Sequence, residues 1–175
     1  MNEDIPAVGA IAPAFTLPDV RGGEVSLDDI VRDRRAVLVF YRGGWCPICN
    51  HQLNRLSAAY ERFTERGAEI LAISNERVRE GEKVLRSIGP PYPLLLDEGG
   101  EVIGRYALSV AKRDPLGWML QKHGYAHPAV IVVGEGRRIE WAYVGKSYRD
   151  RPKVERILAA LSPEPAAPRP AVTPS

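Results

Sequence analysis

Cys46 and Cys49 are the two cysteines of this 175-residue chain, and they stand three positions apart in Phe40-Tyr41-Arg42-Gly43-Gly44-Trp45-Cys46-Pro47-Ile48-Cys49. The chemistry open to such a pair is thiol–disulfide exchange. A thiol is a nucleophile only as its thiolate, and a free cysteine with a pKa near about 8.5 is mostly protonated at neutral pH. The start of a helix changes that balance, because its unpaired N–H groups and partial positive charge favour an anion. A CxxC thiol there can fall to about 7 or below. Positions i and i+3 of a first turn have Cβ atoms about 5–6 Å apart, a small adjustment from disulfide reach. One sulfur can then attack a substrate and the other resolve the intermediate. Pro47 suits a first helical turn, where its missing N–H has no helical partner. Gly43 and Gly44 free the backbone just before the pair. Arg42 supplies a nearby cation if its side chain turns inward, and Trp45 is expected to shield the pair from the rim.

Two other readings compete. The cysteines could be small buried hydrophobes. They could also join His123 and His127, spaced H-x3-H, as four zinc-type ligands. The Cys and His halves lie far apart in sequence, whereas a compact finger separates them by about 12–15 residues, so no metal is assigned. His51, just past the motif, reads as a solvated helix residue.

The elements that would position the pair alternate between strands and helices. Ala36 to Tyr41 is a continuous apolar run, as a strand buried on both faces should be. Ile70 to Ile73, Leu94 to Leu96 and Ala129 to Val133 repeat the pattern. Gly134-Glu135-Gly136 then turns the chain into Ile139 to Tyr143, whose alternation predicts a hairpin strand at a sheet edge. Leu53, Leu56, Tyr60 and Phe63 mark one face of a helix ended by Gly67. Val78 to Ile88 is a weaker helix interrupted in pattern by Gly81. Val154, Ile157, Leu158 and Leu161 stripe a last helix, and Ser26-Leu27-Asp28-Asp29 fits a capping box. Trp141 reads as core packing, and Ser109 to Ala126 as a loop with one short helix over the active face. This order predicts an α/β fold, a central sheet with helices on both faces, its parallel strands inside.

A net charge of +2 from 24 basic and 22 acidic residues gives no argument for nucleic acid or a membrane surface. No run approaches the roughly 20 apolar residues of a spanning helix, and the acidic opening Met1-Asn2-Glu3-Asp4 lacks a signal-like apolar region. A cytoplasmic protein is expected, where a CxxC is catalytic or metal-binding rather than a staple. The folded domain is expected over residues 8–161. Residues 162–175, rich in Pro and Ala, are expected to form a disordered tail.

At the motif the chain resembles the thioredoxin superfamily, and more closely its peroxiredoxin-like branch, the alkyl hydroperoxide reductase and thiol-specific antioxidant group. Ala12-Pro13-Ala14-Phe15-Thr16-Leu17-Pro18-Asp19 with Gly22 to Leu27 is similar to that family's opening hairpin. Val39-Phe40-Tyr41, the Ile70 to Ser74 strand and Pro93 to Asp97 are similar too. The resemblance implies a thioredoxin-like fold with a mixed central sheet and no bound cofactor. It implies a peroxide or disulfide substrate and a thiol electron donor such as a thioredoxin or a low-molecular-weight thiol. Three positions depart from the peroxiredoxin pattern. Arg42 stands where that family has Pro, Cys46 where it has Thr, and Pro128 where it has Arg, so Cys49 matches the peroxide-attacking residue. The same changes move the chain toward thioredoxin-like proteins, with a WCxxC and with Pro128 as the candidate cis-proline facing it. The buried carboxylate that thioredoxins carry in the strand before the motif is missing from Ala36 to Tyr41. By thioredoxin logic Cys46 attacks and Cys49 resolves; by peroxiredoxin logic Cys49 attacks, becomes a sulfenic acid, and Cys46 closes the disulfide.

Overall fold

The computed structural model describes residues 6–110 and 124–161. The apolar runs form a five-stranded mixed sheet. Its strands are β3 (Arg35–Phe40), β4 (Ala68–Ser74), β5 (Leu94–Leu96), β8 (Ala129–Val133) and β9 (Ile139–Val144), in the order β5-β4-β3-β8-β9. β3, β4 and β5 are parallel, and β8 and β9 run antiparallel to their neighbours. β3 is central, and all its residues from Ala36 to Phe40 are buried. β9 lies at one edge as its alternation predicts. The expectation that parallel strands sit inside fails for β5, which forms the other edge. That edge is covered by the end of an N-terminal hairpin, β1 (Thr16–Pro18) with β2 (Glu24–Ser26). Asp19 bridges Leu95, and the Val20 N–H donates to the Leu94 carbonyl at 2.9 Å. Two short strands, β6 (Ser109–Val110) and β7 (Tyr125–Ala126), pair by themselves.

Alternation along the strands sorts the interior into two layers. Val37, Val39 and Tyr41 face one way and pack with Ile70, Ala72, Val130 and Val132. Over them lie α2 (Pro47–Ala58), α3 (Tyr60–Thr64), α4 (Val78–Ile88) and α6 (Val154–Ala160), through Leu53, Leu56, Phe63, Val84, Ile157 and Leu158. Ala36, Leu38 and Phe40 face the other way, under α1 (Leu27–Asp33) and α5 (Glu101–Arg105).

Three local expectations change. The single helix from Leu53 to Phe63 is two, because the chain tightens at Ala59, where the Ala59 N–H reaches only back to Leu56. Phe63 nonetheless stays buried. Ser26 stands at the start of α1, but its hydroxyl makes no capping bond. α4 runs unbroken through Gly81, where a β-carbon would lie 2.6 Å from Val20 and 3.1 Å from Leu96. Its missing side chain lets α4 lie close on the sheet edge. Most of the loop expected at Ser109 to Ala126, with His123, and the tail expected at residues 162–175 lie outside the described residues.

Candidate active site

The chain leaves the C-terminal end of β3 at Tyr41 and enters α2 through Arg42 to Cys46. Catalytic groups gather at this end of an α/β sheet. Cys46 is the residue preceding the first turn of α2, with Pro47 at its opening and Cys49 one turn in. Gly44 is required by space, since a β-carbon there would meet Val84 of α4 at 2.2 Å. Both cysteines are free thiols and buried, Cys46 2% exposed and Cys49 fully covered. They thus occupy the core, as the rival reading held, but with polar and charged groups on both sulfurs.

The two sulfurs have opposite electrostatics. Cys46 is lowered to about 5, first because the Cys49 thiol donates a hydrogen bond to it, and then by the Cys49 backbone N–H and the Arg42 guanidinium, against burial. Cys49 is pushed up, first by that same bond to Cys46 and then by burial. The direction is thus toward thiolate character at Cys46 and toward a retained proton at Cys49. Arg42 Nη1 lies 3.9 Å from the Cys46 sulfur, and Arg151 Nη2 lies 3.3 Å from the Cys49 sulfur.

Arg42 does turn inward, and it is held among three rings: Tyr125 at 4.5 Å, Trp45 at 4.8 Å and Tyr148 at 5.0 Å from the guanidinium carbon. Such cation–π contacts keep the charge close to the sulfur while burying it. Trp45 is half-buried and packs edge-on to Tyr125. Trp141 is only partly buried and stacks on Tyr143.

Pro128 corrects an expectation. No cis peptide bond occurs among the described residues, so the bond preceding it is trans. Extended entry into β8 satisfies the backbone without a turn there. The Pro128 carbonyl accepts the Gly145 N–H at 2.9 Å, anchoring the segment that carries Tyr148 and Arg151. The ring Nε2 of His127 meets the Gly145 carbonyl at 2.5 Å.

A buried carboxylate lies at the end of the neighbouring strand, bonded to the turn into α2. Glu76, just past β4, is 3% exposed, and its Oε1 accepts the Gly44 N–H at 2.8 Å. Its Oε2 accepts from the Ser74 hydroxyl at 3.3 Å. Burial pushes this carboxyl up to about 7. Glu76 and Arg151 were not singled out in sequence. Glu76 could have been found as an acid at the C-terminal end of a buried strand; nothing local marks Arg151.

A model of the AhpC/TSA family matches residues 8–142. The chain belongs to the AhpC/TSA family. This AhpC/TSA protein is 30% identical, over 119 residues, to the thiol-disulfide oxidoreductase ResA of Geobacillus kaustophilus, covering 67% of this chain and 66% of the relative. It is 35% identical to the chloroplastic peroxiredoxin Q of Suaeda salsa over 94 residues, 54% of this chain and 44% of that one. In structure it is similar to the peroxidoxin BcpB of Mycobacterium tuberculosis, with a TM-score of 0.78 and 24% identity over 89% of this chain and 96% of the other. The AhpC/TSA protein is a thiol-dependent oxidoreductase of thioredoxin-like fold, of the class that acts on peroxides or disulfides and draws on thiol reductants.

Proposed function

We propose that this protein reduces small peroxides through a Cys46–Cys49 dithiol–disulfide cycle, with Cys46 as the attacking sulfur. The observation that carries this reading is the asymmetry of the pair: Cys46 stands at the start of α2 with Arg42 Nη1 3.9 Å from its sulfur, which favours its thiolate, while Cys49 lies one turn in and is held toward its protonated form. The Cys46 thiolate attacks one peroxide oxygen, the O–O bond breaks, and Cys46 becomes a sulfenic acid. The departing alkoxide takes a proton, for which the Cys49 thiol is placed. Loss of the Cys46 negative charge removes the largest influence holding Cys49 up, while the Arg151 guanidinium continues to favour its thiolate. Cys49 then attacks the sulfenic sulfur, the disulfide forms, and hydroxide leaves to take a proton from solvent. Two thiol equivalents from a donor restore the dithiol, in a reducing cytoplasm on this reading.

Burial supports a small substrate. Cys46 is 2% exposed, and the Arg42 side chain beside it leads outward to Tyr148, which is 45% exposed. With Cys46 this covered, a small peroxide is more readily admitted to the sulfur than the disulfide of a folded protein. Disulfide reduction stands as a second reading because curated relatives of this chain carry the name thiol-disulfide oxidoreductase.

The test compares peroxide consumption with insulin disulfide reduction in wild type, Cys46→Ser and Cys49→Ser. Cys46→Ser is expected to lose peroxide turnover by about 100-fold or more. Cys49→Ser should consume about one equivalent and leave a sulfenic acid on Cys46 that dimedone traps. A trapped sulfenic acid on Cys49 instead would reverse the order of attack. Insulin reduction outpacing peroxide turnover would favour the second reading.

A further inference from the structure

A cleft of about 510 Å³ opens between α2 and the segment leading into α6. Ile48, Leu56 and Ile157 supply apolar walls, and Arg55, Arg149, Arg151 and Lys153 supply positive charge. Its acidic lining residue, Glu155, is paired with Arg62 at 3.7 Å. Neither cysteine lines the cleft, and Arg151 stands between it and the redox pair. Arg151 lines it while its Nη2 touches the Cys49 sulfur at 3.3 Å, and its Nε donates to Gln52 Oε1 at 3.0 Å. Gln52 also lines the cleft. It is 7% exposed, and its Nε2 donor has no acceptor among the described residues. A buried amide donor without a partner, beside four cations, marks a place for an acceptor-rich anionic ligand.

We propose that this cleft binds a small anionic thiol, which reduces the oxidised protein by attacking the sulfur of Cys49. The inference rests on the redox cycle above and names the partner of its recycling half. The bound thiolate forms a bond to Cys49, the Cys46–Cys49 bond breaks, and the electron pair leaves on Cys46. A second thiolate attacks the bound donor's sulfur, releasing the donor disulfide and a Cys49 thiolate that takes a proton from solvent. Two donor thiols are oxidised and the protein disulfide is reduced. The direction of attack fits the pair, since the low-pKa Cys46 thiolate is the better leaving group. The Arg151 guanidinium beside Cys49 favours the incoming thiolate, and the cleft's other cations hold its carboxylates.

The test uses the full chain oxidised to the Cys46–Cys49 disulfide, confirmed by peptide mapping. It is mixed with mercaptosuccinate, a dicarboxylate thiol, or with the neutral 2-mercaptoethanol. The reading is the ratio of the two reduction rate constants, so that each thiol's own reactivity cancels between protein variants. Arg55 and Lys153 are exposed, and Arg55→Gln with Lys153→Gln removes two cleft charges without opening the core. The ratio is expected to fall about 5-fold in the double variant. Added salt should lower it in wild type in the same sense. A ratio unchanged by both the substitutions and salt overturns the cleft assignment and leaves the redox cycle standing. Failure to form the Cys46–Cys49 disulfide at all overturns both.

Discussion

At the scale of single residues, the site is a contrast between two sulfurs of one sequence type. Cys46 is held at about 5 chiefly by the thiol hydrogen of Cys49, with the Arg42 charge in support. The thiolate of the reduced protein should therefore titrate, by its ultraviolet absorbance, with a midpoint near about 5. Cys49→Ala deletes the main donor and is expected to move that midpoint upward by about one pH unit or more. A midpoint that stays put in Cys49→Ala would show that the helix start and Arg42 suffice by themselves. The pair and Arg42 were legible in sequence because their spacing and their place after a buried strand are local facts. Arg151 was not, because only the return of the chain past β9 brings a guanidinium to the Cys49 sulfur. The sequence also could not rank the two cysteines. Their difference arises first from the hydrogen bond that the Cys49 thiol gives to the Cys46 sulfur at the start of α2.

At the scale of elements, the site depends on how β3 and β4 deliver their ends. The parallel pairing sets Phe40 against Ile73, so Tyr41 to Gly44 and Ser74 to Glu76 leave the sheet side by side. Glu76 can then hold the Gly44 N–H and fix the turn into α2. Fixing it with a buried acid makes the fold pH-sensitive. The carboxyl is raised from 4.5 to about 7 in the folded chain. Its folded form prefers the proton, so the stabilising contribution is full below the unfolded value and disappears as pH rises through about 7. Glu76→Gln keeps an oxygen for the Gly44 N–H and removes the ionisation. Relative to wild type, it is expected to gain about 2–3 kcal/mol in urea unfolding between about pH 5 and pH 8. A constant difference across that range would place the ionised Glu76 in a better-solvated setting than its burial indicates. The strands were legible because fully buried runs leave no other reading, as in β8. The break at Ala59 and the trans bond before Pro128 were not. The Ala59 break follows from the local tightening there, and the periodicity and the resemblance each suggested the opposite of what is found.

At the scale of the whole molecule, the redox pair belongs to the packed layer on one side of the sheet, with Val39, Leu53, Val84 and Ile157. Changing its oxidation state is therefore a change in the stability of the fold. In the reduced state the fold stabilises a Cys46 thiolate that the unfolded chain would protonate. Because the folded value lies below the ordinary thiol value, this contribution is full above about pH 8.5 and is lost as pH falls through about 5. The oxidised state has no thiolate and gains nothing from it. The reduction potential should accordingly be less negative than the roughly −270 mV of thioredoxin, whose thiol lies near about 7. A protein so poised accepts electrons readily from thiol donors and reduces stable disulfides poorly, which agrees with peroxide as the oxidant. The proton count gives a sharper prediction. Between about pH 6 and pH 8, reduction yields one thiolate and one thiol, so one proton accompanies two electrons. The potential should then become more negative by about 30 mV per pH unit, and by about 59 mV per unit only below pH 5, where both sulfurs bind protons. Equilibration with a glutathione or dithiothreitol buffer at a series of pH values measures this slope. A slope of about 59 mV across neutral pH would mean that Cys46 is protonated there, and the asymmetry on which the cycle rests would be absent from the folded protein.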